Sequence, residues 1–230
     1  MNPELCFWGV RGSFPAALPS CRLLGGNTAC LQVEWQGHQL ILDAGSGIRK
    51  LGRHLLSQDS TQPLHLLFSH PHWDHVQGFP FFAPAYLEST QLHIHSIRRQ
   101  VTMKELLSAQ QESTFFPVPL ESLACELHFH EWDEGHRFNL GPFQVETWRL
   151  NHPGVCSGWR VQAGDFVIAY VSDVAPSSEH LLADPLPGNL TRQQSLERLY
   201  ENQLRLAENA DLVIYDTCFT QEQYAERSHW

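Results

Sequence analysis

The feature that most constrains this chain is a run of six residues holding three histidines and one aspartate: His70, Pro71, His72, Trp73, Asp74 and His75. The run begins two residues after the apolar stretch Leu64–Phe68, which predicts a buried strand that fixes its direction. Imidazole and carboxylate together are typical ligands of zinc and other first-row metals in hydrolytic sites. Residues two apart in an extended segment point the same way, so His70 and His72 can hold one metal.

Asp74 and His75 then turn toward a second metal, about 3.5–4 Å from the first as in other two-metal sites. The predicted chemistry is a metal-activated water, with Asp74 as the residue that orients the nucleophile. Such a site needs more donors from elsewhere in the chain. Three polar residues that follow apolar strands, where α/β folds commonly place their sites, are candidates: His152, Asp173 and Asp216.

Two further His-x-His pairs, His93/His95 and His128/His130, lie in alternating strand patterns without a neighbouring Asp-His. We expect them to form one strand face that is mostly solvated, and we do not expect them to be ligands. Spacing alone is therefore weak support for a metal site. The added Asp74 and His75 give the first cluster its specificity.

Composition limits the classes of function. The 230 residues carry a net charge of −10, which disfavours broad electrostatic binding to extended nucleic acid. The six cysteines form no CxxC pair, which favours reduced thiols. The N-terminus has no signal-peptide pattern and no apolar run reaches the length of a membrane span, so we expect a cytoplasmic protein without a membrane partner.

The pattern of elements predicts one α/β domain over residues 1–230, with many strands and helices covering mixed sheets. Ile48, Leu51 and Leu55 are spaced to share one face of a short helix. A second helix is predicted over Arg98–Gln111, and Thr191 is a candidate N-cap for a third. The third helix would place five residues on one face: Leu196, Leu199, Tyr200, Leu204 and Ala207.

Taken together, the ordered residues resemble the metallo-β-lactamase fold superfamily: an early Asp43, then His70, His72, Asp74 and His75, then His152, then Asp173. The resemblance is to the branch that holds ribonuclease Z and the PhnP-type phosphodiesterases. Four segments support it: residues 7–13 (FWGVRGS), 25–28 (GGNT), 42–47 (LDAGSG) and 69–75 (SHPHWDH). It runs from about residue 5 to the C-terminus and is more specific for the superfamily than for a substrate.

This resemblance implies an αββα sandwich of two mixed sheets flanked by helices. It implies that His70, His72 and His152 bind a first zinc, that Asp74 and His75 bind a second, and that Asp173 bridges the two. Asp43 would be a buried residue that orients the ligand loop, and Asp216 would lie near the site without ligating. Two Zn²⁺ ions are expected, with Mn²⁺ or Fe²⁺ as alternatives.

The C-terminus departs from the family pattern. Members normally carry a Gly-His-Ser-Thr-like segment and a further His ligand shortly after the position of Asp216, whereas this sequence ends at Ser228-His229-Trp230. We expect the chain to lack the C-terminal helix and the last metal-ligand segment. His229 is an alternative donor, although terminal residues are usually frayed.

The leading function is hydrolysis of a small anionic phosphodiester. Lys104 is the only lysine between His75 and His152. The region around Phe115-Phe116-Pro117 therefore indicates a hydrophobic lid rather than a basic RNA-binding arm. A thioester or lactone hydrolase with the same site is an open alternative, as is a catalytically impaired metal-binding module. A homodimer is also open, because relatives in this branch are often dimers. Arg11, Ser13 and Asn27 are candidates for the substrate mouth, but turn-forming roles are favoured for each.

Overall fold

Two mixed β-sheets face each other in the computed structural model, which describes residues 2–58, 62–175, 181, 183–217 and 222. The first sheet has the strand order β1-β2-β3-β4-β5-β6, with β1 to β3 antiparallel and β3 to β6 parallel. Its strands are β1 (Glu4–Gly9), β2 (Cys30–Trp35), β3 (His38–Leu42), β4 (Leu64–Leu67), β5 (Gln91–Ile97) and β6 (Glu126–Trp132).

The second sheet has the strand order β11-β10-β9-β8-β7, in which only β10 and β11 run parallel. Its strands are β7 (Arg137–Leu140), β8 (Phe143–Leu150), β9 (Cys156–Ala163), β10 (Phe166–Val171) and β11 (Leu212–Tyr215). The α-helices are α1 (Ile48–Leu55), α2 (Trp73–Val76), α3 (Met103–Gln110) and α4 (Arg192–Ala207). Short 3₁₀ turns cover Pro19–Cys21, Phe79–Phe81, Ala83–Tyr86 and Leu120–Ser122.

Helices cover the outer face of each sheet, so the predicted αββα class is confirmed. Ile48 and Leu51 of α1 are buried with Ile41 and Leu66 of the first sheet. On the other side of the molecule, Leu206 of α4 is buried with apolar residues of the second sheet. A third cluster, from the inner faces of both sheets, forms the core between them. No helix in the described part of the chain is long and apolar enough to cross a membrane.

The predicted helix over Arg98–Gln111 begins too early. In the structure α3 starts at Met103, because the Thr102 hydroxyl accepts from the Glu105 amide while the Glu105 carboxylate accepts from the Thr102 amide. This capping box satisfies two amides that have no partner inside the helix, so it defines the first turn. Arg98 instead continues from β5, and its guanidinium contacts the Asp133 carboxylate at 2.8 Å.

The two His-x-His pairs lie on the inner face of the first sheet, where His65 of β4 joins them. His93 pairs in register with His65 and with His128, and His95 pairs with His130. The predicted solvated face is wrong for His95, which is only 1 % exposed. Its ring lies 5.8 Å from that of Phe138 on the opposing sheet, so the second sheet covers it.

Candidate metal centre

The residues of the histidine-aspartate run lie just beyond the carboxyl end of β4. His72 is extended, with φ −60° and ψ 151°, and the chain turns into α2 at Trp73. This change of direction separates the donors, because His70 and His72 precede the helix whereas Asp74 and His75 lie in its first turn. His152 follows β8 and Asp173 follows β10. The sequence-predicted donors of both sheets therefore meet at one end of the sandwich.

Four side chains form a first donor group: His70, His72, His152 and Asp173. One nitrogen or oxygen of each lies within 4.8 Å of those of the others. His152 Nε2 is 2.9 Å from His72 Nδ1, and Asp173 Oδ2 is 3.8 Å from both His70 Nε2 and His152 Nε2. Three imidazoles and one carboxylate at this spacing match the donor set of a four-coordinate zinc site.

Asp74, His75 and Asp173 form a second donor group under the same distance limit. His75 Nε2 lies 3.7 Å from Asp74 Oδ2 and 3.2 Å from Asp173 Oδ1. Asp173 thus directs Oδ2 toward the first group and Oδ1 toward the second. This is the arrangement that a carboxylate bridging two metal ions requires.

The protonation of the first group suits a metal. Burial lowers the pKa of His70 well below its usual value, and burial also lowers the pKa of His152 to about 4. The pKa of His72 is lowered for the same reason. These imidazoles are therefore neutral near pH 7, which is the form that ligates a metal. His70 Nε2 is buried and has no hydrogen-bond partner among the described residues, so a metal would satisfy a buried polar atom that is costly to leave unpaired.

Asp43 is fully buried behind the second group and accepts several hydrogen bonds. Its Oδ1 accepts from the Ser69 amide at 2.7 Å, and its Oδ2 accepts from the Ser69 hydroxyl and the Tyr170 hydroxyl at 2.8 and 2.7 Å. His75 Nδ1 also lies 2.8 Å from Oδ2. This last contact directs His75 Nε2 toward Asp173, so Asp43 orients a predicted ligand, as buried carboxylates behind metal-bound histidines do.

His75 is in its doubly protonated, positively charged form when no metal is present. Burial opposes its charged form, but the Asp43 and Asp173 carboxylates outweigh burial and raise the pKa of His75 well above its usual value. Burial acts to raise the pKa of Asp173, but the hydrogen bond from His75 and the positive charge of His75 outweigh burial. The pKa of Asp173 therefore lies below its usual value. Metal binding to this group must therefore displace a proton from His75.

The loop between β1 and β2 contributes a contact that the sequence did not reveal. The Ser13 amide donates to Asp74 Oδ2 at 2.7 Å, and Ser13 has a left-handed backbone with φ 68°. Close packing continues at Gly45, where an added Cβ would clash with the Asp74 carbonyl oxygen. A backbone donor of this kind has no side-chain signature, so only the folded loop shows it.

Arg11 and Asn27 have the turn-forming roles that the sequence favoured. Arg11 Nε donates to the Phe14 carbonyl at 2.9 Å. Asn27 Oδ1 accepts from the Ser46 hydroxyl at 3.1 Å. Both contacts fix the loop rather than leaving the side chain free for a substrate.

Asp216 follows β11, which runs beside β10 and so brings it near Asp173. Loss of hydration and the neighbouring charge of Asp173 raise the pKa of Asp216 to about 6. Asp216 belongs to neither donor group. His229, the alternative C-terminal donor, lies outside the described residues.

Comparisons with known proteins agree with this fold. A family model described as the beta-lactamase superfamily domain matches residues 38–230. The fold is similar to that of human tRNase Z, short form, at 15 % identity and a TM-score of 0.64, covering 99 % of this chain and 83 % of that one. It is also similar to a diphosphatase from the PhnP family, at 14 % identity and a TM-score of 0.56, covering 94 % and 85 % of the two chains.

The metallo-beta-lactamase fold protein YhfI from Bacillus subtilis is similar at 19 % identity and a TM-score of 0.54. The alignment covers 74 % of this chain and 62 % of YhfI, so this chain spans under two thirds of that protein. No curated protein matches the sequence significantly. The family match over most of the chain, together with the two opposed mixed sheets, shows that the chain belongs to the metallo-β-lactamase fold superfamily.

Proposed function

We propose that this protein is a metal-dependent phosphodiesterase that hydrolyses small anionic phosphodiesters and uses two divalent ions, most simply Zn²⁺. The observation that carries the proposal is the position of Asp173 between two donor groups, with one carboxylate oxygen toward each. A site for one metal does not need this bridging arrangement. Mn²⁺ and Fe²⁺ accept the same nitrogen and oxygen donors and are tested alongside zinc.

When bound, the metal pair would supply Lewis acidity, which generates a nucleophile from water near neutral pH and stabilises charge on phosphoryl oxygens. His70, His72 and His152 would hold one ion, and Asp74 and His75 would hold the other. Asp74 is also the residue proposed to orient the attacking water. Its Oδ2 is fixed by the Ser13 amide, so the carboxylate keeps one orientation while substrate binds.

A phosphodiester is favoured over other hydrolysable groups for two reasons. Two cations attract an anionic phosphodiester more strongly than they attract an uncharged lactone or thioester. In addition, two proteins of similar fold are named a tRNase and a diphosphatase, and both names denote cleavage of phosphorus–oxygen bonds. The net charge of −10 makes a small diester a better substrate than a long polyanion.

A substrate panel tests this proposal. Zinc-loaded protein is assayed with bis-p-nitrophenyl phosphate, a cyclic mononucleotide, a thioester and a lactone, each before and after chelation. We expect a diester to give the highest kcat/KM and chelation to abolish its hydrolysis. His93→Ala is the matched control, because His93 is a histidine outside both donor groups, and it should keep the wild-type activity profile.

Faster hydrolysis of the thioester or lactone would replace the phosphodiesterase proposal with the carbonyl alternative. A metal-loaded protein that hydrolyses no member of the panel would contradict the proposal and favour a metal-binding module. Activity that survives complete chelation would contradict metal dependence itself.

A further inference from the structure

A groove beside α1 combines positive charge with aromatic walls and contains none of the residues of the two donor groups. It has a volume of about 340 Å³, within the usual size of a small-molecule site. It is called the Arg49–Arg53 groove here, and its lining includes Arg49, Arg53, Phe81, Ala83, Tyr86 and Phe116. No carboxylate is among the described residues that line it.

The two arginines stand one helical turn apart on α1, close enough to repel each other. Neither guanidinium has a hydrogen-bond or ion-pair partner within the part of the chain that the structure describes. Arg49 lies in the first turn of α1, where the helix dipole disfavours a cation and where the structure has no acidic residue. Helix stability therefore does not explain Arg49, whereas an anion between the two guanidinium groups would relieve their repulsion.

Three aromatic residues also line the groove, and contacts hold their side chains in place. The rings of Phe81 and Phe116 meet edge to face, with centroids 5.5 Å apart. The Tyr86 hydroxyl donates to the Pro80 carbonyl at 2.6 Å. Gly52 lies between the two arginines, and an added Cβ there would lie 3.1 Å from Phe82. The missing side chain lets α1 approach this aromatic segment closely.

We propose that the Arg49–Arg53 groove binds an aromatic phosphate ester of the nucleotide class. A phosphate group accepts paired hydrogen bonds from guanidinium groups, and a planar base stacks on aromatic side chains or packs against their edges. The groove offers both surfaces within the dimensions of one small molecule. Because the groove shares no residue with the two donor groups, we expect this ligand to bind without the metal pair.

Isothermal titration of the whole chain with AMP, adenosine and inorganic phosphate tests the proposal. The titrations use chelator-treated protein, so that no metal can hold the phosphate, with zinc-loaded protein in parallel. We expect AMP to bind in both preparations. We expect adenosine and phosphate each to bind at least tenfold more weakly, because each presents only one of the two chemical groups.

Two variants assign the binding to this groove. Arg49→Gln/Arg53→Gln should weaken AMP binding at least tenfold, and Phe116→Leu should weaken it several-fold. Arg22→Gln/Lys104→Gln removes the same amount of charge from exposed positions outside the groove and should change AMP affinity less than twofold. Zinc content should be the same in all of these proteins, since none of the substituted residues is a predicted ligand.

Three results would overturn the inference: AMP binding that requires zinc, AMP binding unchanged by the Arg49/Arg53 double variant, or equal affinity for AMP and adenosine. Each readout is an affinity rather than a rate. The inference can therefore fail while the proposed phosphodiesterase activity stands, and it can hold if that activity is absent.

Discussion

Asp74 differs from the other predicted donors because the backbone of a distant loop holds it. The Ser13 amide binds Oδ2 at 2.7 Å, and no hydrogen bond to Oδ1 is present among the described residues. The oxygen that lies 3.7 Å from His75 Nε2 is thus fixed by the loop, and the other oxygen is available to orient the attacking water. This asymmetry suits a residue that positions a nucleophile.

We predict that Asp74→Ala lowers kcat for a phosphodiester by at least a thousandfold, because it removes both a predicted ligand and the group that orients water. The thermal unfolding midpoint of metal-free protein should change little, since Asp74 lies at the edge of the core. Steady-state kinetics and circular dichroism melts measure the two quantities. Full activity in Asp74→Ala would show that the assigned mechanism is wrong.

Asp43 is predicted to matter chiefly for stability. Asp43→Ala would leave the His75 imidazole and the Ser69 and Tyr170 hydroxyls without their buried acceptor. Breaking a buried ion pair by removing one partner costs about 3–5 kcal/mol, and we expect a loss of this size in the free energy of unfolding. Urea denaturation of metal-free protein measures it.

Tyr170→Phe is the control for that measurement, because it removes one donor to Asp43 and leaves the carboxylate in place. Its cost should be about 1.5–3 kcal/mol, the usual effect of one hydrogen bond to a charged group. If Asp43→Ala cost no more than Tyr170→Phe, Asp43 would not be the centre of the network.

At the scale of single residues, the structure brings the predicted donors that are close together in the chain into one place. His70, His72, Asp74 and His75 converge because one strand end and one helical turn set their directions. One of the four polar contacts of Asp43 comes from Tyr170, which is more than a hundred positions away, and no local pattern indicates that contact. The Ser13 amide was missed because every residue type except proline has the same backbone donor.

Among the elements, the three adjacent parallel strands β4, β5 and β6 carry a cluster of inward-facing histidines. His65 Nδ1 and His95 Nε2 are 3.2 Å apart, and His93 Nδ1 and His130 Nε2 are 3.0 Å apart. Burial, with the charges of the neighbouring histidines, lowers the pKa of His65 to about 4 and that of His95 to about 2. The folded protein therefore keeps these imidazoles neutral where an unfolded chain would protonate them.

The sign of the pH dependence follows from proton uptake. Below pH about 6.5, His65 and His95 bind protons in the unfolded chain but stay neutral in the folded protein. The free energy of unfolding therefore falls as pH falls toward 4. Each such histidine contributes up to about 1.4 kcal/mol per pH unit to this slope. We predict that His95→Leu flattens the slope between pH 6.5 and 4.5, as measured by urea unfolding at several pH values.

His54→Leu is the comparison variant, because His54 is an exposed histidine on α1. It should leave the slope at the wild-type value. A slope that is the same in wild type and His95→Leu would show that the buried imidazole is not the source of the acid sensitivity.

The sequence predicted where α4 begins better than it predicted which face of α4 is buried. The capping box of Thr191 and Gln194 starts α4 where the sequence predicted. The predicted face of α4 was partly wrong, because Tyr200 and Leu204 are about half exposed while Asn202 and Leu206 are buried. Asn202 Nδ2 donates to the Arg149 carbonyl of β8, and hydrophobicity alone does not reveal a buried polar contact of that kind.

For the whole molecule, the site joins the two sheets. Four predicted ligands follow β4 of the first sheet, whereas His152 and Asp173 follow β8 and β10 of the second. The first donor group takes His70 and His72 from one sheet and His152 and Asp173 from the other, so a metal held there would be a cross-link that the unfolded chain lacks. The class of fold was predictable because the order of motif and strands is specific. The histidine face was not, since the position of the second sheet decides which strand residues are covered.

Chelation should therefore lower the thermal unfolding midpoint. A ligand at a hundred times its Kd adds about 2.7 kcal/mol to stability, which for a chain of this size corresponds to about 5–10 °C. Scanning calorimetry before and after chelation, and again after zinc is restored, measures the shift. A midpoint unaffected by chelation would contradict the view that metal links the sheets; chelator presaturated with calcium serves as the control.

The most direct test of the two-metal claim is elemental analysis of the 230-residue chain after zinc loading and removal of free metal. The position of Asp173 between the two donor groups predicts two zinc ions per chain, with both lost together in Asp173→Ala. A wild-type chain that retains one zinc ion or none would contradict the proposed centre.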